Sequence, residues 1–217
     1  MTTRKGAIGK VSIAVPTGAL MPGALRLLAR AGVARLSADE LGRQLMVDRS
    51  GVRVILVRPA DVPAYVDHGA ADLGIVGKDI LWETPGAHYE LVDLKFGGCR
   101  LVLAVPLASR LDGPETWPPQ LRVATKYPRT ASSWFEARGQ AVEVVQLHGS
   151  VELAPQVGLV DAIVDLTATG RTLKENRLRV TAILGSSTAR LIANQASLKT
   201  RTSAVQAAVG RLREAAG

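Results

Sequence analysis

Short apolar runs rich in β-branched residues recur along this chain, and most are followed by a stretch with apolar positions at helical spacing. Residues 10–16 (KVSIAVP) read as a first buried strand, with Thr17 and Gly18 as the turn after it. Residues 20–31 then carry Leu25, Leu27, Leu28 and Ala31 on a helical period and stop at Gly32. A second strand is expected over 52–57, and a helix over 59–70 with Asp61 as N-cap and Gly69 at its end. Residues 71–76 form a third apolar run, and Gly77-Lys78-Asp79 opens the next helix. Further strands are expected over 91–94 and 100–106, separated by Gly97-Gly98, and the proline-bearing stretch 107–120 reads as a loop. A strand–helix–strand unit restarts at 121–125, with its helix over 131–138 and its next strand over 142–146, and 162–166 gives one more strand. The tail, 203–216, is an Ala-rich helix whose Val205, Val209 and Leu212 lie near one face, a pattern that suits a self-interface, a partner or packing on the main lobe, with packing the expectation. Alternation of this kind argues for a doubly wound α/β architecture.

Composition agrees with that reading. At 217 residues, 47% hydrophobic and only 4% aromatic, the chain can bury one large or two small cores of the aliphatic kind that parallel strands use. No apolar run reaches the roughly eighteen residues that a membrane-spanning helix needs. The basic start, MTTRKGAIGK, lacks an apolar signal core. Cys99 stands alone, which excludes an intramolecular disulfide and fits a reducing cytoplasm. The scattered histidines and this cysteine give no metal-site spacing. A formal charge of +8 invites a nucleic-acid partner, but the basic residues are dispersed and no aromatic RNA-binding pattern accompanies them. A positive field equally steers polyphosphate substrates, and we expect neither nucleic acid nor membrane as a partner.

The chemistry concentrates in residues 160–178 (VDAIVDLTATGRTLKENRL). An apolar run carries Asp161 and Asp165; Thr167, Ala168, Thr169 and Gly170 follow, and Arg171 and Thr172 begin a helix-like stretch. A strand, a tight loop of small residues and a helix start can together present backbone N–H groups to an anion, with threonine hydroxyls as extra donors. Carboxylates repel phosphate, so the aspartates would hold ribose hydroxyls or a hydrated metal. Spacing alone equally fits a helix capped by Thr169 or Thr172, with both aspartates decorating a strand. Arg58, and the string from Asp72 through Gly74 and Gly77 to Asp79, adjoin expected strand ends, where open α/β sheets bind ligands. Glycines at 74 and 77 would let a ligand approach the backbone. Lys126 and Tyr127 follow another strand, offering an ammonium for phosphate and a ring for a base or ribose.

The string Asp-(x)3-Thr-Gly-x-Thr-Leu over 165–173, with Leu-His-Gly-Ser-Val-Glu-Leu-Ala-Pro over 147–155, resembles ATP phosphoribosyltransferase, the first enzyme of histidine biosynthesis. The resemblance extends over roughly residues 10–201. It implies an α/β fold of two lobes similar to type II periplasmic binding proteins, with substrates in a cleft between them. Lobe I would comprise 1–99 plus 178–217, and lobe II 100–177. It also implies a phosphoribosyl-pyrophosphate (PRPP) site of Asp161, Asp165, Thr167, Ala168, Thr169, Gly170, Arg171 and Thr172, with Arg43 reaching the pyrophosphate. Arg58, Asp72, Gly74, Gly77, Asp79, Lys126 and Tyr127 would bind ATP, with Mg2+ accompanying both substrates and no single nucleophile or base. The chain looks like the short form, which works as a homodimer within a hetero-oligomer alongside a regulatory subunit resembling histidyl-tRNA synthetase. Two departures stand out: Thr17-Gly18-Ala19 replaces the family's usual Lys-Gly-Arg, and Arg177 stands where glycine is common. Arg43, Arg100, Lys126 and Arg171 are the candidates to replace the missing charge. Glu152 receives no role from the sequence.

Overall fold

A computed structural model describes residues 11–217; Lys10 and the basic N-terminal stretch lie outside the described residues. The chain divides into two compact units: the described residues up to Gly97 together with Thr188–Gly217, and the continuous segment Gly98–Ser187.

The first unit starts with β1 (Val11–Pro16), α1 (Met21–Arg30) and the short α2 (Ala38–Leu41). An antiparallel pair, β2 (Met46–Arg49) and β3 (Val52–Val57), leads to α3 (Val62–Asp67). Then come β4 (Leu73–Gly77), α4 (Lys78–Glu83) and β5 (Tyr89–Asp93). The second unit contributes β6 (Cys99–Pro106), β7 (Leu121–Thr125), α5 (Pro128–Glu136), β8 (Val142–Gln146), β9 (Ala162–Thr167), α6 (Arg171–Glu175) and β10 (Leu178–Ser187). The chain returns to the first unit with β11 (Ala189–Ala193), α7 (Gln195–Thr200) and α8 (Thr202–Ala216).

The first sheet has six strands in the order β2-β3-β1-β4-β11-β5, with β3, β1 and β4 parallel and β11 antiparallel to β4 and β5. Its central strands are apolar on both faces because helices cover both. Val11, Ile13, Val15, Leu73, Ile75 and Leu191 join a core with Leu25, Leu28 and Leu212. On the other face Ala14, Val76 and Ile192 pack with Val62 and Val66 of α3. The tail helix behaves as expected: Val205, Val209 and Leu212 are all buried in the first of these cores.

The second sheet, β10-β6-β9-β7-β8, is mixed: β9, β7 and β8 are parallel, and β6 runs antiparallel to both β9 and β10. The sequence-based boundary after residue 177 therefore shifts to 187. Residues 178–187 pair along β6, Leu178 with Pro106 through Ser187 with Cys99, and so complete the second sheet. Within the 107–120 loop, a single 3-10 turn at Pro114–Thr116 precedes Trp117, whose ring meets Phe135 of α5 edge-on at 5.5 Å and anchors the segment.

Candidate functional site

Parallel strands place their following residues together at one end of a sheet. In the second unit Thr125 pairs with Val164, so Lys126 emerges beside Asp165. The two charges interact: burial raises the Asp165 carboxyl above its usual range, against the pull of the Leu166 amide and the Lys126 ammonium, and the Glu152 carboxylate adds to the rise. The Leu166 N–H donates to Asp165 Oδ1 at 2.8 Å. Asp165 and Thr167 lie two apart on β9 and share one face; the same face carries Ala124 and Ile163, which pack with Val151, Ala154 and Leu173. Glu152 reaches Asp165 from a 3-10 turn at Val151–Leu153, entered through Ser150 in the left-handed region at φ 46°.

Beyond β9 the loop closes on itself. Gly170 N–H donates to Thr167 Oγ1 at 2.9 Å, and Gly170 takes φ +77°, which turns the chain into α6. Ala168 and Thr169 are exposed, and their amides donate to no partner among the described residues. A Cβ built on Gly170 would meet nothing within 4 Å, so the space in front of the loop is open. Two free amides, the exposed Thr169 and Thr172 and nearby Lys126 can take a phosphate dianion, while half-buried Asp165 can accept from hydroxyls. With only five residues in α6, the binding power lies in individual N–H groups more than in a helix dipole. Arg171 is spent on a surface ion pair with Glu175 at 2.8 Å.

Asp161 does not join this group. It precedes β9, at the end opposite the loop, about 13 Å from Asp165 at the usual strand rise of ~3.3 Å per residue. There it accepts from the Arg122 backbone at 3.0 Å and pairs with the guanidinium at 2.7 Å, and those Arg122 hydrogen bonds hold its carboxyl below the usual range. Tyr127 is also corrected: its ring is buried at the start of α5, which removes it as a platform for a base. Lys126, expected on the ATP side, stands with the loop instead.

In the first unit, the carboxyl ends of β3, β1 and β4 bring out Arg58, the Thr17-Gly18-Ala19 turn, and Gly77 with Lys78 and Asp79. Arg58 is exposed; Asp79 is buried and folds back over Gly77, whose added Cβ would come within 2.3 Å of Asp79 Oδ1. Arg43 occupies an exposed turn between α2 and β2. Two expectations fail here. Asp72 sits before β4, at the amino end of the sheet, where Ser12 N and Oγ donate to Oδ2 at 2.8 and 2.9 Å. Ser197 Oγ donates to Oδ1 at 2.7 Å, and Arg201 approaches at 3.1 Å. Gly74 makes room for α3 and not for a ligand: a Cβ there would lie 2.7 Å from Val66 and 2.8 Å from Val62.

Sequence reading gave Glu152 no role and offered Arg100 only as one of four candidates to replace the missing charge; Arg100 faces Thr167 across the β6–β9 ladder, a relation that only strand register reveals. Arg177 adopts φ 54°, a left-handed conformation that costs arginine more than it would cost glycine. Among the described residues no group of three or more His, Cys, Asp and Glu side chains could hold a metal ion, and no helix is long and apolar enough to cross a membrane.

Comparison with known proteins identifies the family. The family described as "HisG: ATP phosphoribosyltransferase" matches residues 58–214. An ATP phosphoribosyltransferase from Rubrobacter xylanophilus is 52% identical over 204 residues, covering 92% of this chain and 94% of the relative. The ATP phosphoribosyl transferase (HisG:HisZ) complex from Thermotoga maritima contains a chain superimposing with TM-score 0.81 at 32% identity, covering 95% of this chain and 98% of that one. The arginine-bound form of a truncated ArgBP from T. maritima shares the fold alone, with TM-score 0.58 at 14% identity over 95% and 96% of the two chains. The chain belongs to the ATP phosphoribosyltransferase family.

Proposed function

We propose that this protein transfers the 5-phosphoribosyl group of PRPP to N1 of ATP, releasing pyrophosphate and forming phosphoribosyl-ATP, the first step of histidine biosynthesis. Supporting this are the family match and the meeting of Asp165, Thr167, Lys126 and an open small-residue loop at one end of the second sheet. The loop amides and threonine hydroxyls hold the 5′-phosphate, and Asp165 accepts from the ribose hydroxyls. Lys126 adds positive charge beside them. N1 of ATP bonds to C1 as the C1–O bond to pyrophosphate breaks, and the pyrophosphate departs with the electron pair. The protein contributes positioning and charge stabilisation, and the reaction asks for no side-chain nucleophile.

On the nucleotide side we assign Arg58 and the Gly77–Asp79 turn, and we assign Arg43 to the pyrophosphate. Magnesium is read as part of the substrate complex, since the described residues offer it no cage of their own. We place the enzyme in the cytoplasm, as a homodimer working with a regulatory subunit resembling histidyl-tRNA synthetase; the T. maritima HisG:HisZ complex supports the second subunit. Size and turnover of the purified chain, alone and with that subunit, test the assembly. We expect turnover to rise at least several-fold on mixing. Full activity of the lone chain together with direct inhibition by histidine would sink the two-subunit reading.

For the reaction, Asp165→Asn is the critical variant. Losing a carboxylate acceptor for sugar hydroxyls costs about 1.5–3 kcal/mol per hydrogen bond, roughly 10- to 100-fold in kcat/KM for PRPP. Because burial raises this carboxyl, wild-type activity should fall on the acid side at a higher pH than an ordinary aspartate would give. The Asn variant should lose that limb. A pyrophosphate-release assay with ATP, PRPP and magnesium reads both effects, and wild-type kinetics in a folded Asp165→Asn protein would remove the residue from the site. The same assay separates the enzyme from a small-anion binding protein of this fold, which would release no pyrophosphate.

A further inference from the structure

Arg100 is the second residue of β6 and pairs directly with Thr167, the residue whose hydroxyl fixes the loop. Directly opposed residues of an antiparallel pair send their side chains out on the same face, with Cβ atoms roughly 5 Å apart. The next same-face pair down the ladder is Val102 with Asp165, so Arg100, Thr167 and Asp165 belong to one face and one end of the sheet. On its other side Arg100 faces Ser186 of β10, an exposed and uncharged neighbour. Arg100 is itself exposed and makes no ion pair or side-chain hydrogen bond among the described residues. The other cations of this region differ. Arg171 is paired with Glu175, Lys126 acts on Asp165, and Arg122 is held by Asp161 at the far end. An unengaged guanidinium beside two unengaged amides is a set of free donors for a tetrahedral dianion, because the planar fork can donate to two phosphate oxygens at once.

We propose that Arg100 binds the phosphate monoester held by the loop 167–172, taking its oxygens in a bidentate grip from the β6 side. This rests on the phosphoribosyl reading above and deepens it, since it assigns the positive charge that Thr17 and Ala19 do not supply. The monoester on a pentose is the group recognised, so ribose 5-phosphate is bound by the same contacts as PRPP, while ATP makes none of them.

The test is calorimetric titration of ribose 5-phosphate, PRPP and ATP into wild-type protein and into Arg100→Ala, Arg100→Gln and Arg100→Lys, with thermal unfolding of each as a folding control. Arg100→Ala and Arg100→Gln should weaken ribose 5-phosphate and PRPP by about 10- to 100-fold, the usual effect of losing a charge-assisted bidentate contact, and leave ATP unchanged. Arg100→Lys should recover part of the loss. In steady-state assays the defect should appear in KM for PRPP and not in KM for ATP. A folded Ala or Gln variant that binds both phosphates as tightly as wild type, or loses ATP equally, overturns the proposal. If the wild type binds neither ribose 5-phosphate nor PRPP, the loop reading fails first and takes this assignment with it.

Discussion

Gly170→Val will abolish measurable PRPP binding while the second unit stays folded. The backbone at this position has φ +77°, and a Cβ added there would meet no neighbour within 4 Å, so the damage comes from conformation. An L-residue in the left-handed region costs about 1–2 kcal/mol, and a β-branched one pays at the upper end. The loop relieves that strain by moving, which breaks the Gly170 N–H to Thr167 Oγ1 bond and swings the Ala168 and Thr169 amides out of place. Each charge-assisted bond to phosphate contributes about 1.5–3 kcal/mol, so losing two lowers affinity by roughly 10²–10⁴. The fold loses only the strain. Titration of PRPP into the variant, with its thermal transition alongside, checks both halves. Unchanged affinity would reduce the loop to a helix start.

The second large effect falls on stability. Asp72→Ala will lower the unfolding free energy of the first unit by about 2–4 kcal/mol, because it strands the buried Ser197 and the half-buried Ser12, which donate to one carboxylate, and frees the exposed Arg201 from its partner. Ser12 at the start of β1 loses two acceptors' worth of bonding, Ser197 in α7 loses one, and Arg201 loses its counter-charge. In a chain of this size the thermal midpoint should drop by roughly 10 °C. Burial alone would raise the Asp72 carboxyl, but the hydrogen bonds from Ser12 and Ser197 and the Arg201 charge outweigh it and bring it below the usual range. A depressed folded-state value means the group stabilises the protein above its ordinary titration range and loses that contribution as pH falls through the folded value. Asp72→Asn should therefore flatten the acid side of the stability profile. Urea midpoints across pH measure it, and an Ala variant as stable as wild type would show that the cluster contributes little.

These two residues also mark what the sequence can tell a reader. Apolar runs and glycine breaks gave the parallel strands of both units, and the Thr-Gly-x-Thr string located the loop. Two of the misplaced residues, Asp72 and Asp161, turn on which end of a strand an acid occupies. Asp72 and Asp161 each come just before an apolar run, whereas Lys126 comes just after one and Asp165 near the end of one. In a parallel sheet those ends do different jobs: acids at the amino end tie strands together, and those at the carboxyl end face ligands. The order of acid and run was visible throughout. Less legible were β10 and β11, whose residues alternate weakly because their partners, and not their own pattern, fix them: Val180 and Ile183 of β10 are 42% and 51% exposed. Arg100 carried no local signal either, because its neighbour across the ladder lies 67 positions away in the chain.

The placement of β11 has a consequence for how the molecule comes off the ribosome. In the first sheet β5 touches only β11, and β11 also completes the edge of β4. Residues 89–93 therefore emerge with no strand to join and wait while some ninety residues of the second unit are translated. That unit, encoded in one uninterrupted piece, can close its sheet as soon as Ser187 appears opposite Cys99. The segment made later is thus the first able to finish, and the nascent first half carries an unpaired strand until residue 193 clears the exit tunnel. Nascent-chain chaperones would meet that half-built sheet, and slowed translation after residue 93 would prolong its exposure.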